Sequence, residues 1–274
     1  MASEDAPIRY FVSDGVATIT LNRPERMNAM TFDLMTAIQD ALEDVRLNED
    51  IRLVILTGSG RAFCAGADLI SPPSRTGGDR PDRVRSRPVY DPADTTFDDT
   101  LRALMACPVP TLARINGPAA GGGFGLSLAC DISIAARSAF FVATFSTELG
   151  IVPDMGATWN LPRRIGRARA LGVTLLGERL PAERAAQWGL IWNCVDDDML
   201  DQEVARVSSI LMATSPAAVR RTRETIDAAL RNTFSEQLAL ETSHQAELIP
   251  RNMPEGIRGY CQRNRPIERV GRCD

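Results

Sequence analysis

The middle of the chain holds a glycine-rich stretch that reads Asn116-Gly117-Pro118-Ala119-Ala120-Gly121-Gly122-Gly123-Phe124-Gly125. It follows a strand-like segment over 111–115 and leads into an apolar segment over 126–130 and a second strand-like segment over 132–135. The pattern predicts a strand, a turn, a helix and a strand in succession. Its glycines leave main-chain N–H groups bare, which suits either an oxyanion or anion site or close packing of the helix on a sheet.

The same alternation runs through the first 200 residues. Residues 16–21 and 53–56 have the composition of buried strands. Between them, apolar residues recur at helical spacing over 34–45, and Thr31 is the predicted N-cap of that helix. A strand–helix–strand unit indicates parallel pairing, so we predict an α/β fold for residues 1–200.

Two regions depart from this pattern. Residues 71–96 contain five prolines, five arginines and little to bury, which predicts either a plain surface loop or a lid over a site. After residue 200 the strand patterns stop. The segments 204–212, 217–230 and 234–248 read as amphipathic helices, so we expect residues 201–274 to form a helical region that serves oligomerisation.

The composition excludes several classes of chemistry. All 31 basic residues are arginine, so a lysine-dependent phosphate loop and Schiff-base chemistry are excluded. His244 is the single histidine, which excludes a multi-histidine zinc site, and we expect it on the surface of a helix. The six cysteines form no C-x-x-C pair and are expected to be reduced and mostly buried. A net charge of −4 without a basic stripe makes nucleic acid an unexpected partner.

The sequence also bears on location. No apolar run reaches the roughly eighteen residues needed to cross a bilayer, so no membrane span is expected. The first residues, Met1 to Asp5, lack the basic and apolar regions of a secretion signal. We therefore expect a cytoplasmic protein.

Two further segments are candidates for chemistry. Residues 61–69 follow a buried strand, and their small side chains either let a ligand approach the main chain or simply form a tight turn. In residues 148–156, Asp154 stands before a helical pattern in apolar surroundings. It is either the N-cap of that helix or an acid–base group with a raised pKa.

Together these segments resemble the crotonase family, also called the enoyl-CoA hydratase/isomerase family. The resemblance runs from about residue 8 to the C-terminus and rests on motifs in the family's order and spacing. These motifs are Leu21-Asn22-Arg23-Pro24, Met27-Asn28-Ala29, Ala65-Gly66-Ala67-Asp68-Leu69, Asn116-Gly117, Gly121-Gly122-Gly123, Ala129-Cys130-Asp131, Gly150-Ile151-Val152-Pro153-Asp154, Leu161-Pro162-Arg163 and Arg263-Asn264-Arg265-Pro266.

The resemblance implies a spiral of ββα units with a C-terminal helical subdomain that assembles trimers or dimers of trimers. It implies an acyl-CoA thioester as ligand, with no metal or redox cofactor and with CoA as part of the substrate. The thioester oxygen would lie between the main-chain N–H groups of Ala67 and Gly122. The other residues expected to line the ligand are Arg26, Ala65, Gly66, Asp68, Leu69, Gly121, Gly125 and Ser146.

The chain departs from the family's hydratases at both of their catalytic glutamates. Gly125 stands at the first position. The second position falls on Ser146 when counted back from Gly150 and on Phe145 when counted forward from Asp131, because the chain holds one extra residue. Neither count gives a glutamate, and Glu148 lies two residues late.

Asp154 stands where the family's dienoyl-CoA isomerases carry a catalytic aspartate. Flanking segments also resemble the phenylacetate-pathway isomerases that act on ring-1,2-epoxyphenylacetyl-CoA. We therefore expect an acyl-CoA isomerase with Asp154 as the proton-moving carboxylate. Two alternatives are a hydratase or lyase that uses Asp154 or Glu148 to handle water, and a catalytically silent acyl-CoA-binding protein.

Overall fold

The structure is a computed structural model that describes residues 6–69 and 94–263. The chain divides into two compact units, Met1–Ala213 and Thr214–Asp274. In the first unit, the strands are β1 (Ile8–Ser13), β2 (Val16–Leu21), β3 (Leu53–Gly58), β4 (Thr111–Ile115), β5 (Ala119–Ala120), β6 (Ile132–Ala136), β7 (Phe140–Val142), β8 (Leu180–Pro181) and β9 (Asn193–Val195). Its α-helices are α1 (Phe32–Leu47), α2 (Thr96–Met105), α3 (Gly122–Leu128), α4 (Ala157–Leu176), α5 (Ala182–Gln187) and α6 (Leu200–Met212).

The larger sheet has the strand order β1-β2-β3-β4-β6-β9. Strands β1 and β2 form an antiparallel hairpin, and every other neighbouring pair is parallel. The hairpin turns at Asp14 and Gly15, which both have positive φ, as a two-residue turn between twisted strands requires. Strands β3 and β4 are buried along almost their whole length, and this explains their unbroken apolar sequences.

A smaller sheet has the order β5-β7-β8. The chain alternates between the two sheets: β4 and β6 lie in the larger sheet, while β5 and β7, the strands that follow them, lie in the smaller one. A helix completes each pair, α3 after β5 and α4 after β7. This repetition is the spiral of ββα units that the family resemblance implies.

Helices cover the larger sheet on both faces. Helix α1 is capped as predicted, since the Thr31 hydroxyl accepts a hydrogen bond from Leu34 N at 3.2 Å. Helix α6 buries Leu200, Val204 and Val207 against side chains of β3, β4 and β6. Because of this packing α6 belongs to the first unit, whereas the sequence grouped it with the C-terminal helices.

The described part of the second unit forms two helices, α7 (Pro216–Ala229) and α8 (Phe234–Arg263). Arg221 of α7 pairs with Glu247 of α8 at 2.6 Å. His244, expected at the surface, is instead largely buried, and its Nδ1 lies 2.8 Å from the Thr225 hydroxyl. Helix α8 passes the predicted end at residue 248 and continues through two prolines. None of the helices in the described ranges is long and apolar enough to cross a membrane.

The predicted loop, the C-terminal motif and the cysteines are described only in part. The predicted loop 71–96 lies outside the described residues up to position 93, and Thr96 already begins α2. The motif residues 264–266 also lie outside them. Among the described cysteines, Cys64, Cys107 and Cys130 are buried, and Cys194 is half-buried. In the described ranges no three acidic, cysteine or histidine side chains are grouped as a metal site.

Candidate active site

Two main-chain turns meet above the ends of β3 and β4. The first is the 62–69 turn, which is fixed by short parallel bridges between Cys64 and Ala119 and between Met30 and Ala67. Gly66 has a φ of +95°, a conformation that strongly favours glycine. The bridges fix the turn on both sides, since the Gly66 carbonyl accepts from Met30 N at 2.7 Å and the Cys64 carbonyl accepts from Ala120 N at 2.9 Å.

The second turn is the glycine-rich stretch itself. Gly121 has a φ of +50° and donates its N–H to the Val142 carbonyl at 2.9 Å. Helix α3 begins directly after it at Gly122, earlier than the predicted apolar segment over 126–130. The glycines therefore belong partly to the helix rather than only to the turn before it.

The two turns touch through their main chains. A Cβ on Gly66 would lie 3.0 Å from the Ala120 carbonyl oxygen and 3.3 Å from the Gly122 nitrogen. Within residues 6–69 and 94–263, the N–H groups of Ala67 and Gly122 have no recorded hydrogen-bond partner. The arrangement therefore presents two open N–H groups, one from each turn, on either side of the Gly66 contact.

Asp154 lies beside the second of these N–H groups. Its Oδ1 is 3.7 Å from the point that a Cβ of Gly122 would occupy. The same point is crowded by the side chains of Met30 and Met155, so the carboxylate stands among apolar neighbours. Met155 itself has a φ of +50°, an unusual value for a residue with a side chain, and this marks a strained turn next to the carboxylate.

The capping alternative for Asp154 is wrong. Helix α4 begins at Ala157 with Gly156 as its N-cap, and no side chain caps it. The Ala157 N–H binds the main-chain carbonyl of Asp154 at 2.9 Å rather than its carboxylate. The carboxylate is therefore left available for another role.

The surroundings favour the protonated form of this carboxyl group. Partial burial raises the pKa of Asp154 above its ordinary value, and the negative charge of Asp98 raises it further. A hydrogen bond from its own main-chain N–H acts in the opposite direction but is the smaller effect. Asp98 lies on α2, whose Leu101 is 3.9 Å from the Cβ position of Gly156.

Among the described residues, no nearby carboxylate takes the place of either hydratase glutamate, at Gly125 or at Phe145 or Ser146. Gly125 is buried, and a Cβ there would overlap the main-chain carbonyl of Met155, so that space is already occupied. Residues Phe145–Leu149 form a π-helical turn, whose hydrogen bond from Gly150 N to the Phe145 carbonyl is one residue wider than an α-turn. A turn of this kind accommodates one additional residue, which matches the one-residue difference between the two counts.

The π turn also determines the side chains of its residues. Phe145 is buried, and the Ser146 hydroxyl donates to the Ile151 carbonyl at 3.3 Å. Glu148 is exposed, and no side-chain partner is recorded for it in the part of the chain that the structure describes. The rival carboxylate is therefore in open solvent, unlike Asp154.

Asp68 anchors the first turn. Its carboxylate pairs with Arg23 at 2.8 Å, and only 6% of the Asp68 side chain is exposed. Arg23 also donates to the Ala29 carbonyl at 2.6 Å. Buried Asn28 completes the anchor, since its amide donates to the carbonyls of Ser59 and Ala62. These contacts tie the 22–30 segment to the 62–69 turn.

The structure thus brings some of the predicted residues together and gives others separate tasks. Gly66 touches the main chain of Gly121 and Gly122, and Asp154 lies close to Gly122, while Ala65 and Ala67 flank Gly66 in the chain. Arg26 and Leu69 are exposed. Asp68, Gly125 and Ser146 are occupied by their own contacts. Sequence reasoning missed Met30, Met155 and Asp98, because nothing in the local sequence places them at the turns.

The Arg23–Asp68 pair should contribute to stability. Replacing Asp68 by Asn leaves the Arg23 charge largely buried without its counter-ion, and we expect a loss of about 2 kcal/mol in the free energy of unfolding. Urea unfolding at one fixed protein concentration measures this. Glu43→Gln is the control, because Glu43 pairs with Arg46 in full solvent and its loss should leave the midpoint nearly unchanged. Equal midpoints for the two variants would contradict the anchoring role.

The chain is similar to known proteins over nearly its whole length. A family model described as Enoyl-CoA hydratase/isomerase matches residues 12–267. The chain is 39% identical over 257 residues to the 1,2-epoxyphenylacetyl-CoA isomerase of Escherichia coli K12, covering 93% of this chain and 95% of that protein. It is 40% identical over 260 residues to a probable enoyl-CoA hydratase of Rhodobacter capsulatus, covering 94% and 96%.

Solved structures agree with the family match. The crystal structure of an enoyl-CoA hydratase from Polaromonas superposes with a TM-score of 0.82 at 32% identity, covering 94% of this chain and 98% of that one. The family model spans nearly the whole chain, and the relatives match it over nearly their whole lengths. The chain therefore belongs to the enoyl-CoA hydratase/isomerase family and has its crotonase fold.

Proposed function

We propose that this protein is an acyl-CoA isomerase in which Asp154 moves a proton while the N–H groups of Ala67 and Gly122 hold the thioester oxygen. One observation carries the proposal: Asp154 Oδ1 lies 3.7 Å from the Cβ position of Gly122. The carboxyl group of Asp154, whose pKa is raised, thus lies close to Gly122, whose main-chain N–H has no hydrogen-bond partner among the described residues. The reaction needs no metal or redox cofactor, and CoA enters as part of the substrate.

In the proposed reaction Asp154 takes a proton from the substrate and returns it to a different carbon. Ionised Asp154 takes a proton from a carbon conjugated with the thioester, and the electron pair of that C–H bond moves into the thioester. The negative charge collects on the thioester oxygen, where each N–H donor stabilises it by roughly 3–4 kcal/mol. Protonated Asp154 then returns the proton to a different carbon, so the double bond moves and the enzyme is restored.

Isomerisation is favoured over hydration by the side chains at the two glutamate positions. A hydratase of this family orients water with two glutamates, and this chain has Gly125 and Phe145 or Ser146 there. Because the E. coli relative is named 1,2-epoxyphenylacetyl-CoA isomerase, the first substrates to test are oxygenated aryl thioesters such as 1,2-epoxyphenylacetyl-CoA. Enoyl-CoA and dienoyl-CoA thioesters are the next to test. The second candidate function is hydration with Asp154 or Glu148 handling the water, because the Rhodobacter relative is named a probable enoyl-CoA hydratase. The third candidate is binding of acyl-CoA without catalysis.

Replacing Asp154 by Asn should abolish most of the turnover. Asn keeps the size of the side chain and cannot accept the proton, so we expect kcat to fall by roughly 10²–10⁴. The melting temperature should hold or rise slightly, because a partly desolvated carboxylate beside Asp98 is removed. Steady-state kinetics on the thioester panel and thermal unfolding provide the two measurements.

Glu148→Gln is the matched control for this experiment. Glu148 is six residues earlier in the chain and exposed, so its replacement should leave both kcat and the melting temperature unchanged. Activity that survives Asp154→Asn and is lost with Glu148→Gln would show that the proton-moving residue was misassigned. If the unmodified protein adds water to a thioester and Asp154→Asn loses that activity, hydration would be favoured over isomerisation.

The charge of Asp98 should be visible in the pH profile. Asp154 must be ionised to accept the proton, so kcat/KM falls as the pH drops through the pKa of Asp154, and a raised pKa puts this limb above that of an ordinary aspartate. Asp98→Asn removes a like charge and therefore should move the limb to lower pH. Asp99→Asn is the control, since its carboxylate is bound to the Thr95 hydroxyl at 2.6 Å. An unmoved limb in Asp98→Asn would contradict this electrostatic coupling.

The proposed assembly is a homotrimer or a dimer of trimers. Among the described side chains of the second unit, seven large apolar ones are exposed, which are Ile226, Leu230, Phe234, Leu238, Ile249, Met253 and Ile257. Such a surface suits contacts between subunits. Sedimentation at micromolar concentration should give about three or six times the chain mass of 29.9 kDa. A stable species of chain mass would refute the assembly.

A further inference from the structure

Thr144 stands between β7 and the π turn with an unused hydroxyl group. The residue is half-buried, and its main chain is held in place because its carbonyl accepts from Glu148 N at 3.2 Å. For its Oγ1, no hydrogen-bond partner is recorded among the residues that the structure describes. A half-buried hydroxyl in a fixed position without a partner is available to a ligand.

This hydroxyl faces the contact between the two turns. Thr144 Oγ1 lies 3.5 Å from the point that a Cβ of Gly121 would occupy, and Gly66 Cα lies 3.8 Å from the same point. Standard bond lengths put the Gly122 nitrogen about 2.5 Å from that point, so Thr144 Oγ1 is at most about 6 Å from this nitrogen. A single oxygen atom hydrogen-bonded to both groups would be about 3 Å from each. The distances therefore allow both groups to donate to one atom.

We propose that Thr144 is a third donor to the thioester oxygen, beside the N–H groups of Ala67 and Gly122. This inference rests on the proposed function, because that function supplies an acyl-CoA thioester with its oxygen at Gly122. The hydroxyl donates its proton to the oxygen and no covalent bond changes. Its contribution grows as negative charge develops on that oxygen, so it acts more strongly on the transition state than on the bound substrate.

Thr144→Val tests this directly, because valine keeps the shape of the side chain and lacks the hydroxyl. We expect kcat to fall about tenfold or more, with a smaller rise in KM of about fivefold. Thr144→Ser restores the hydroxyl and should recover most of kcat. Thr147→Val is the control, since Thr147 is an exposed threonine on the same turn and should behave as the unmodified protein. Thr144→Val with unchanged kcat, or Thr144→Ser as slow as Thr144→Val, would overturn the proposal.

A binding measurement separates this proposal from the proposed function. The probes are acyl-CoA and a thioether analogue in which a CH₂ group replaces the thioester carbonyl, with Kd measured by calorimetry for both. The unmodified protein should prefer the thioester, and Thr144→Val should reduce that preference about fivefold. A preference that is intact in Thr144→Val overturns the role of Thr144 alone. No preference in the unmodified protein overturns the proposed thioester site and this inference together.

Discussion

The contact between two main-chain turns, at Gly66 and at Gly121–Gly122, is the constraint on which the site depends. A Cβ on Gly66 would be only 3.0 Å from the Ala120 carbonyl oxygen, so the turns can meet this closely only without a side chain. The spiral fold supplies the approach, because β3 and β4 are parallel neighbours and each turn follows one of them. The Arg23–Asp68 pair and Asn28 then hold the first turn in place.

The position of the Asp154 carboxylate and its raised pKa both depend on this arrangement. Asp154 reaches Gly122 because α4 begins at Ala157 with Gly156 as its N-cap, which leaves the carboxylate free of a capping role. Met30 and Met155 exclude part of the solvent around it, and Asp98 adds a like charge, so its pKa rises. The Met155 carbonyl meanwhile occupies the space beside Gly125 where a hydratase would hold a glutamate. One strained turn thus both positions the remaining carboxylate and blocks the missing one.

The sequence predicts the parts of this structure that local composition determines. Strands β3, β4 and β6 are buried and unbroken in sequence, and Thr31 caps α1 as its position suggests. Strand β1 was missed although the Asp14–Gly15 turn signals its hairpin, since most of its residues are exposed. The two- and three-residue strands of the smaller sheet exist only through tertiary pairing. Asp98 and Thr144 approach the turns from distant elements, and no local pattern reveals that; the family resemblance alone placed Asp154 near Gly122.

Proton exchange tests the central claim most directly. In deuterated water the protein should exchange protons of an acyl-CoA thioester next to its carbonyl without adding water, and mass spectrometry detects both events. Gly122→Pro removes one N–H at the first residue of α3, a helix position that tolerates proline once the flexible end of Met30 moves aside, and should slow this exchange by roughly a hundredfold or more. Exchange that is equally fast in a folded Gly122→Pro protein, or binding with no exchange at all in the unmodified protein, would contradict the account.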